Sequence, residues 1–448
     1  MLTPIRVRGR RKKPPAALAL TKRPPGRRLN RITEARRSRK RSKRAKLHHE
    51  PTPPAKRRTL SRLEALPVEL IEKIFLASVN VNLPRASTVL AATVSSERIY
   101  RALVLLAFWN DDLVGGCSGE VARLLRPLDY VPLGLEARAR LQGEIFRCKW
   151  CTVARVLGRL PEMMGLSVRR HWFDAGVVMV SGEEERLNRF LAREESEHGN
   201  GHTFTGTVND TIHTLTISPP ISITITDTAT DSAQTHRILR ITEFPVQLLT
   251  RPSFTPETTT YLEFLRLASG LNTSTLQETS VSISRDALQK GIRTALHTRN
   301  KDALATLLKL DEYYFRAQNT AITATQSPVY GLPAEHFRVA VRADDPGLFQ
   351  LLVRASAESV PDDSEITAWA MELDSGLGRW VLDLLLHLPQ RVEAARANPV
   401  EGAVFYMGRA NAQVELARQY LSEVLGVEEL GSWMEESSLD VRRLWRDV

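Results

Sequence analysis

The chain has 448 residues, 42% of them hydrophobic and 25% charged. At about 100 to 200 residues per domain this is material for two or three domains, which excludes one small peptide-like module. The net charge of +11 is unevenly placed: residues 1–58 hold 22 Lys/Arg against Glu34 and Glu50, a charge of +20, so the other 40 basic and 49 acidic residues leave the body at −9. A fold that binds nucleic acid through its own surface carries positive charge there, and this body does not.

No apolar run approaches the ~18 residues of a membrane span; Ala102–Trp109 is one of the longest and has eight. The start lacks the charged, apolar and small-residue succession of a secretory signal. Three cysteines make no disulfide framework. The sequence therefore predicts an intracellular protein without membrane contact.

Residues 1–59 combine Arg/Lys runs with Pro14-Pro15, Pro24-Pro25, Pro51, Pro53 and Pro54, and have almost nothing to bury. Like charges repel and proline breaks helices, so a disordered basic tail is expected. Its densest cluster is Arg36, Arg37, Arg39, Lys40, Arg41, Lys43, Arg44 and Lys46, the pattern an import receptor reads. The first reading is a nuclear-import signal, with nuclear and also cytoplasmic residence. A second is weak contact with RNA or DNA phosphates. A third is a mitochondrial presequence, since acids are absent before Glu34, although Lys and Pro spoil an amphipathic helix. Arg8-Gly9-Arg10 is faintly like a minor-groove arm, with Arg11 where that motif has proline.

The pattern changes at Leu60. Leu63, Leu66, Leu70, Ile71, Ile74 and Phe75 follow helical spacing, with Glu69, Glu72 and Lys73 on the opposite face and Pro67 in the first turn. Pro84–Val94 and Glu97–Trp109 read as two more helices, with Ser95-Ser96 as a capping turn between them. Residues 60–115 thus form a three-helix module of about 50 residues. That is near the lower limit for a self-supporting core, so a partner or the next domain should cover part of it.

Leu66-Pro67-x-Glu69-Leu70-Ile71-x-x-Ile74-Phe75 resembles the opening of an F-box, the adaptor-binding motif of substrate receptors in Skp–cullin–F-box ubiquitin ligases. Asn80-Val81-Asn82-Leu83-Pro84-Arg85, Ser95-Ser96-Glu97-Arg98-Ile99-Tyr100 and Ala107-Phe108-Trp109 are similar to the F-box-like region of fungal proteins. The resemblance spans roughly 50 residues. It implies that Leu66, Pro67, Leu70, Ile71, Ile74 and Phe75 contact a Skp-type adaptor, with a cullin scaffold beyond it and an unknown protein substrate held elsewhere on the chain. An ordinary amphipathic helix opening at a proline is the alternative reading of the same residues.

In 116–275, Val121–Leu125 and Thr152–Leu160 look helical; then Thr211–Ile217, Ile221–Thr226 and His236–Thr242 alternate with period two, as strands do. Alternating Ile with Thr predicts a small antiparallel sheet with one buried and one solvated face. Glu194–Gly201 reads as a loop, and Thr255-Pro256-Glu257 as a capped helix start.

Residues 276–448 read as helix hairpins. Leu307-Leu308, Leu351-Leu352 and Leu384-Leu385 each follow a short polar turn, at intervals of 44 and 33 residues. The second interval is close to the ankyrin period of about 33, so these pairs resemble degenerate ankyrin repeats; generic stacked hairpins fit equally, and either presents a protein-binding surface. The expected fold class is mainly α: a three-helix F-box-like module, a central α+β region, and C-terminal hairpins.

Chemistry-bearing motifs are sparse. Cys148-Lys149-Trp150-Cys151 lacks a second pair for zinc, which Cys117 or His171 could complete only by a coincidence of the fold, and reads as packing. His198 and His202, four apart across glycines, read as a loop, and Glu183-Glu184-Glu185 as a solvated face. No phosphate loop, nucleophile elbow or zinc-protease motif occurs. The sequence thus assigns no catalytic residue, metal ligand or cofactor; the expected function is non-catalytic adaptor binding and substrate recognition in a ubiquitin ligase. The rival is a nuclear nucleic-acid-associated protein working through its tail, and an enzyme with an unrecognised site is a third reading.

Overall fold

A computed structural model describes residues 61–111, 133–192, 202–218, 222–272, 281–319 and 328–437. The basic cluster at 36–46, Cys117, Val121–Leu125 and Glu194–Gly201 lie outside the described residues. Leu60–Val448 holds together as one unit, separate from Met1–Thr59, and the description below concerns that unit alone.

The first three helices are α1 (Val68–Ser78), α2 (Thr88–Thr93) and α3 (Glu97–Phe108). Ser96 caps α3 by accepting from the Ile99 amide, as its sequence position suggests. The helix expected over Pro84–Val94 is instead a 3-10 turn, Leu83–Arg85, and a separate α2 capped by the Ser87 hydroxyl. A serine inside the segment offers a cap that ends one element and starts another.

All of Ala102–Trp109 is buried. A helix apolar on every side belongs inside a core, and α3 is covered by its own chain. It packs on α4 (Leu135–Phe146). The Trp109 indole donates to Ser167 at 3.1 Å, in α6 (Leu160–Val168), which follows the short α5 (Val153–Leu157) capped by Thr152. A turn of π-helix, Arg169–Phe173, extends α6 and buries Trp172.

After α7 (Ser181–Leu191) come four antiparallel strands in sequence order: β1 (His202–Val208), β2 (Thr211–Ser218), β3 (Ser222–Asp227) and β4 (Ser232–Arg237). Phe204, Leu215, Ile217 and Ile223 are fully buried, while Thr203, Thr216, Thr224 and Thr235 lie in register across the other face. The two-faced sheet expected from the Ile/Thr alternation is present. β1 carries no Ile and was not legible as a strand; its Gly206 lies against Trp172 and Val177, where a Cβ would collide with both.

The third strand expected at His236–Thr242 is displaced to Ser232–Arg237. Ile238, Leu239 and Ile241 are buried, but their segment leaves the sheet to run against the end of α3: Asn110 N–H donates to Ile238 O at 3.0 Å and Arg240 N–H to Phe108 O at 2.8 Å. Apolar alternation marked an extended run correctly and its neighbour wrongly.

The short α8 (Val246–Leu249) leads to α9 (Pro256–Ala268), where Thr255 caps by accepting from Thr258 N–H and Pro256 occupies the first turn. Three hairpins follow: α10 (Arg285–His297) with α11 (Lys301–Asn319), α12 (Ala334–Arg342) with α13 (Pro346–Ala355), and α14 (Ser364–Glu372) with α15 (Gly376–Ala397). They stack through α10 on α12, α12 on α14 and α11 on α13. In the first two turns Arg299 and Asp344 take positive φ, and the next residue, Asn300 or Asp345, caps the second helix. A hairpin of two-residue strands, β5 (Phe405–Tyr406) and β6 (Arg409–Ala410), and the short α16 (Glu415–Gln419) close the array.

Candidate docking face

The segment before α1 is fixed by a reciprocal pair: Ser61 N–H donates to the Glu64 carboxylate at 2.6 Å and Glu64 N–H to Ser61 Oγ at 3.3 Å. The Ser87 hydroxyl, which caps α2, also donates to Glu64. These hydrogen bonds, that from Ser87 first, hold the Glu64 carboxyl below its usual range. Glu64 thereby ties the entry of α1 to the entry of α2.

Pro67 is the N-cap of α1 with extended ψ, one position earlier than the first-turn placement expected; its carbonyl accepts from Leu70 N–H and Ile71 N–H at 3.0 and 3.1 Å. The helix ends at Val79, held at φ 49°, whose N–H returns to Phe75 O. A β-branched residue in that region is strained, so surrounding contacts must hold the stop.

The six residues of the expected ridge are divided by the fold. Ile71 and Phe75 are 1% and 2% exposed in the molecule's own core, and Leu66 is half-buried against it. Pro67, Leu70 and Ile74 face outward, Leu70 at 47% and Ile74 at 41%, with Val68 and Val89 of α2 also exposed. At about 100° per residue the apolar positions from Leu70 round to Phe75 span roughly 140° of α1. The core covers only the side bearing Ile71 and Phe75.

Glu72, expected on the solvated side with Glu69 and Lys73, is 5% exposed. It pairs with Arg98 and accepts from Ser96 Oγ at 3.4 Å, linking α1 to the start of α3. A carboxylate enters such a position when a cation arrives with it, and Arg98 stands 26 residues along the chain. Glu69 and Lys73 are exposed, as expected.

Cys148 and Cys151 are free thiols. Cys148 Sγ donates to Glu144 O at 3.4 Å; burial, with Cys148 nearby, pushes the Cys151 thiol up to about 12. Such thiols are poor nucleophiles and ligands at neutral pH. His171 stacks on His236 at 3.8 Å between ring centroids. The Glu183 carboxylate is engaged by Arg186 at 2.6 Å and Thr205 N–H at 3.3 Å, whereas Glu184 and Glu185 are exposed. No helix among the described residues is long and apolar enough to cross a membrane. No family model, no curated protein and no solved structure matches the chain.

Proposed function

We propose that this protein is a non-catalytic, F-box-like subunit that docks a Skp-type adaptor on α1 and presents a target to a cullin-based ubiquitin ligase. The observation that carries the reading is the outward row of Pro67, Leu70 and Ile74 beside the inward pair Ile71 and Phe75. The inward pair anchors the helix; the outward row is large apolar surface on a rigid element, the form in which a helix offers itself to a partner groove.

Ligase chemistry then belongs to the partners. The receptor acts by holding a target lysine near a charged ubiquitin carrier, which raises effective concentration without a reactive side chain on this chain. The basic cluster from Arg36 to Lys46 would deliver the protein to the nucleus through an import receptor.

The test is affinity purification of full-length protein from its own cells, comparing wild type with Leu70→Asp/Ile74→Asp. Both positions are surface positions, so the variant should fold. Loss of Skp and cullin subunits from the variant is expected. Their recovery in equal amount, or their absence from the wild type, overturns the assignment.

A further inference from the structure

Far from α1 in sequence, the segment after α15 and the segment after α16 enclose a cleft of about 500 Å³, within the range of roughly 300–1,000 Å³ typical of ligand sites. One wall is the β5–β6 hairpin with Val400 and Glu401; the other runs from Leu421 to Ser432.

The walls are built rather than floppy. At the hairpin tip Met407 and Gly408 have φ of 50° and 70°, the paired positive values of a tight two-residue turn. Gly408 lies against the Trp433 ring where a side chain would clash. Met407 N–H donates to buried Glu312 at 2.8 Å, and the Trp433 indole donates to the other oxygen of the same carboxylate at 3.1 Å. Met407 O accepts from Trp433 N–H and Ser432 Oγ, and Ala410 N–H donates to Leu430 O. A cleft whose two sides share one buried carboxylate exists before any ligand arrives, which removes much of the ordering entropy from binding.

Its chemistry is two-part. Its open apolar surface comes from half-buried Leu430 and from Val400, 55% exposed, above Met407 and Leu421, which are buried beneath. Val427, 43% exposed, joins this edge through its N–H bond to Leu421 O. The rim carries Glu401, Glu428 and Glu429 against Arg409. The wider stretch 415–436 holds six glutamates and one arginine. An apolar floor under an acidic rim selects a large apolar side chain next to a cation.

We propose that this cleft binds a short extended peptide of another protein, in which Lys or Arg adjoins a large aliphatic or aromatic residue. The assignment goes beyond adaptor docking and stands or falls without it, because Leu70 and Ile74 take no part.

The experiment uses full-length protein at about 0.15 M salt, where exposed charges are screened beyond a Debye length of roughly 8 Å. Immobilised wild type and Glu428→Lys/Glu429→Lys are each presented with the same random nine-residue peptide library. Acidic peptides caught by the basic tail are caught by both proteins and cancel in the comparison. Peptides pairing Lys or Arg with Leu, Ile or Phe should be enriched on the wild type and not on the variant. The most enriched sequence, resynthesised with a fluorescein label, should bind the variant about tenfold more weakly or worse. Val400→Asp should weaken the same peptide, and both variants should keep the wild-type unfolding midpoint because the substituted positions are exposed. Identical enriched sets on both proteins, no enrichment on the wild type, or equal binding of the labelled peptide to wild type and variants overturns the proposal.

Discussion

The two faces of α1 make a quantitative test, because neighbouring residues of similar chemistry should fail in different ways. Complete burial of a Leu or Ile side chain contributes about 1.5–3 kcal/mol. Leu70 and Ile74 retain 47% and 41% of their exposure, so docking can gain roughly 1.3–2.6 kcal/mol from the two together. Leu70→Ala/Ile74→Ala should therefore raise the adaptor Kd by about tenfold to eightyfold. It should cost less stability than truncating Phe75, since nearly half of each residue still faces solvent. Phe75 is 2% exposed, and Phe75→Ala should cost about 3–5 kcal/mol of stability. Biolayer interferometry with purified Skp-type adaptor gives the first quantity and urea unfolding the second. If the adaptor binds the Leu70→Ala/Ile74→Ala protein as it binds wild type, or binding weakens only in step with unfolding, α1 is a core helix and the docking argument fails.

His336 is buried and its Nε2–H donates to Gln289 Oε1 at 2.7 Å; burial, with Arg293 adding, pushes its pKa from 6.5 down to about 4. The unfolded ring takes a proton through pH 6.5 and the folded ring only near 4. Its contribution is therefore complete above 6.5 and falls as pH drops through that window, by roughly 2 kcal/mol between pH 7.5 and 5. In urea titrations His336→Gln should lose that part of the slope, and parallel slopes in both proteins contradict the burial argument. The tail should bind duplex DNA with an affinity that collapses between about 50 and 200 mM salt, whereas adaptor binding should barely change; a salt-insensitive DNA affinity points to the folded body instead. Alanine at Arg39, Lys40 and Arg41 should shift a fluorescent fusion from nucleus to cytoplasm, and unchanged nuclear signal removes the import assignment.

What the sequence made legible was local. Ser96 and Thr255 cap helices where they stand, because a hydroxyl meets an amide two or three residues on. The hairpins were visible for a related reason: Leu307, Leu308, Leu352 and Leu384 are buried, and the turns between helices are short. What failed depended on distant neighbours. Nothing in Leu70-Ile71 says which faces inward; α2 and α3 decide it. Ile238–Ile241 alternates like a strand, but the end of α3 offers its backbone partners. Glu72 looks solvated until Arg98 is folded beside it. The 421–432 cleft had no motif to find, since Val400, Met407 and Glu428 meet only because Glu312 and Trp433 fix the segments between them.

The proposed positioning role demands that two contact surfaces keep a fixed separation, and apolar packing alone tolerates slippage. The interior here is crossed by polar ties whose geometry has one solution. Gln142 uses both amide hydrogens on Ala107 O and Arg240 O, each at 2.7 Å, and its oxygen accepts from the Thr242 N–H and hydroxyl, so its whole capacity joins α3 to the crossing segment. Arg138 donates to Trp109 O and to Asp111, both at 2.6 Å, from α4. On α9, Arg266 is held by Glu263 and donates to Met434 O at 2.8 Å and Glu436 O at 3.1 Å, contacts 168 and 170 residues away. Desolvating such groups costs energy that apolar side chains would not, and a half-made network is worse than none. Gln142 is fully bonded, while Arg138 keeps two of its guanidinium donors bonded and its Nε buried without a partner. The segment that follows the C-terminal wall of the cleft is thus locked to α9 through Arg266, and α3 packs on the helix on which Leu70 and Ile74 stand.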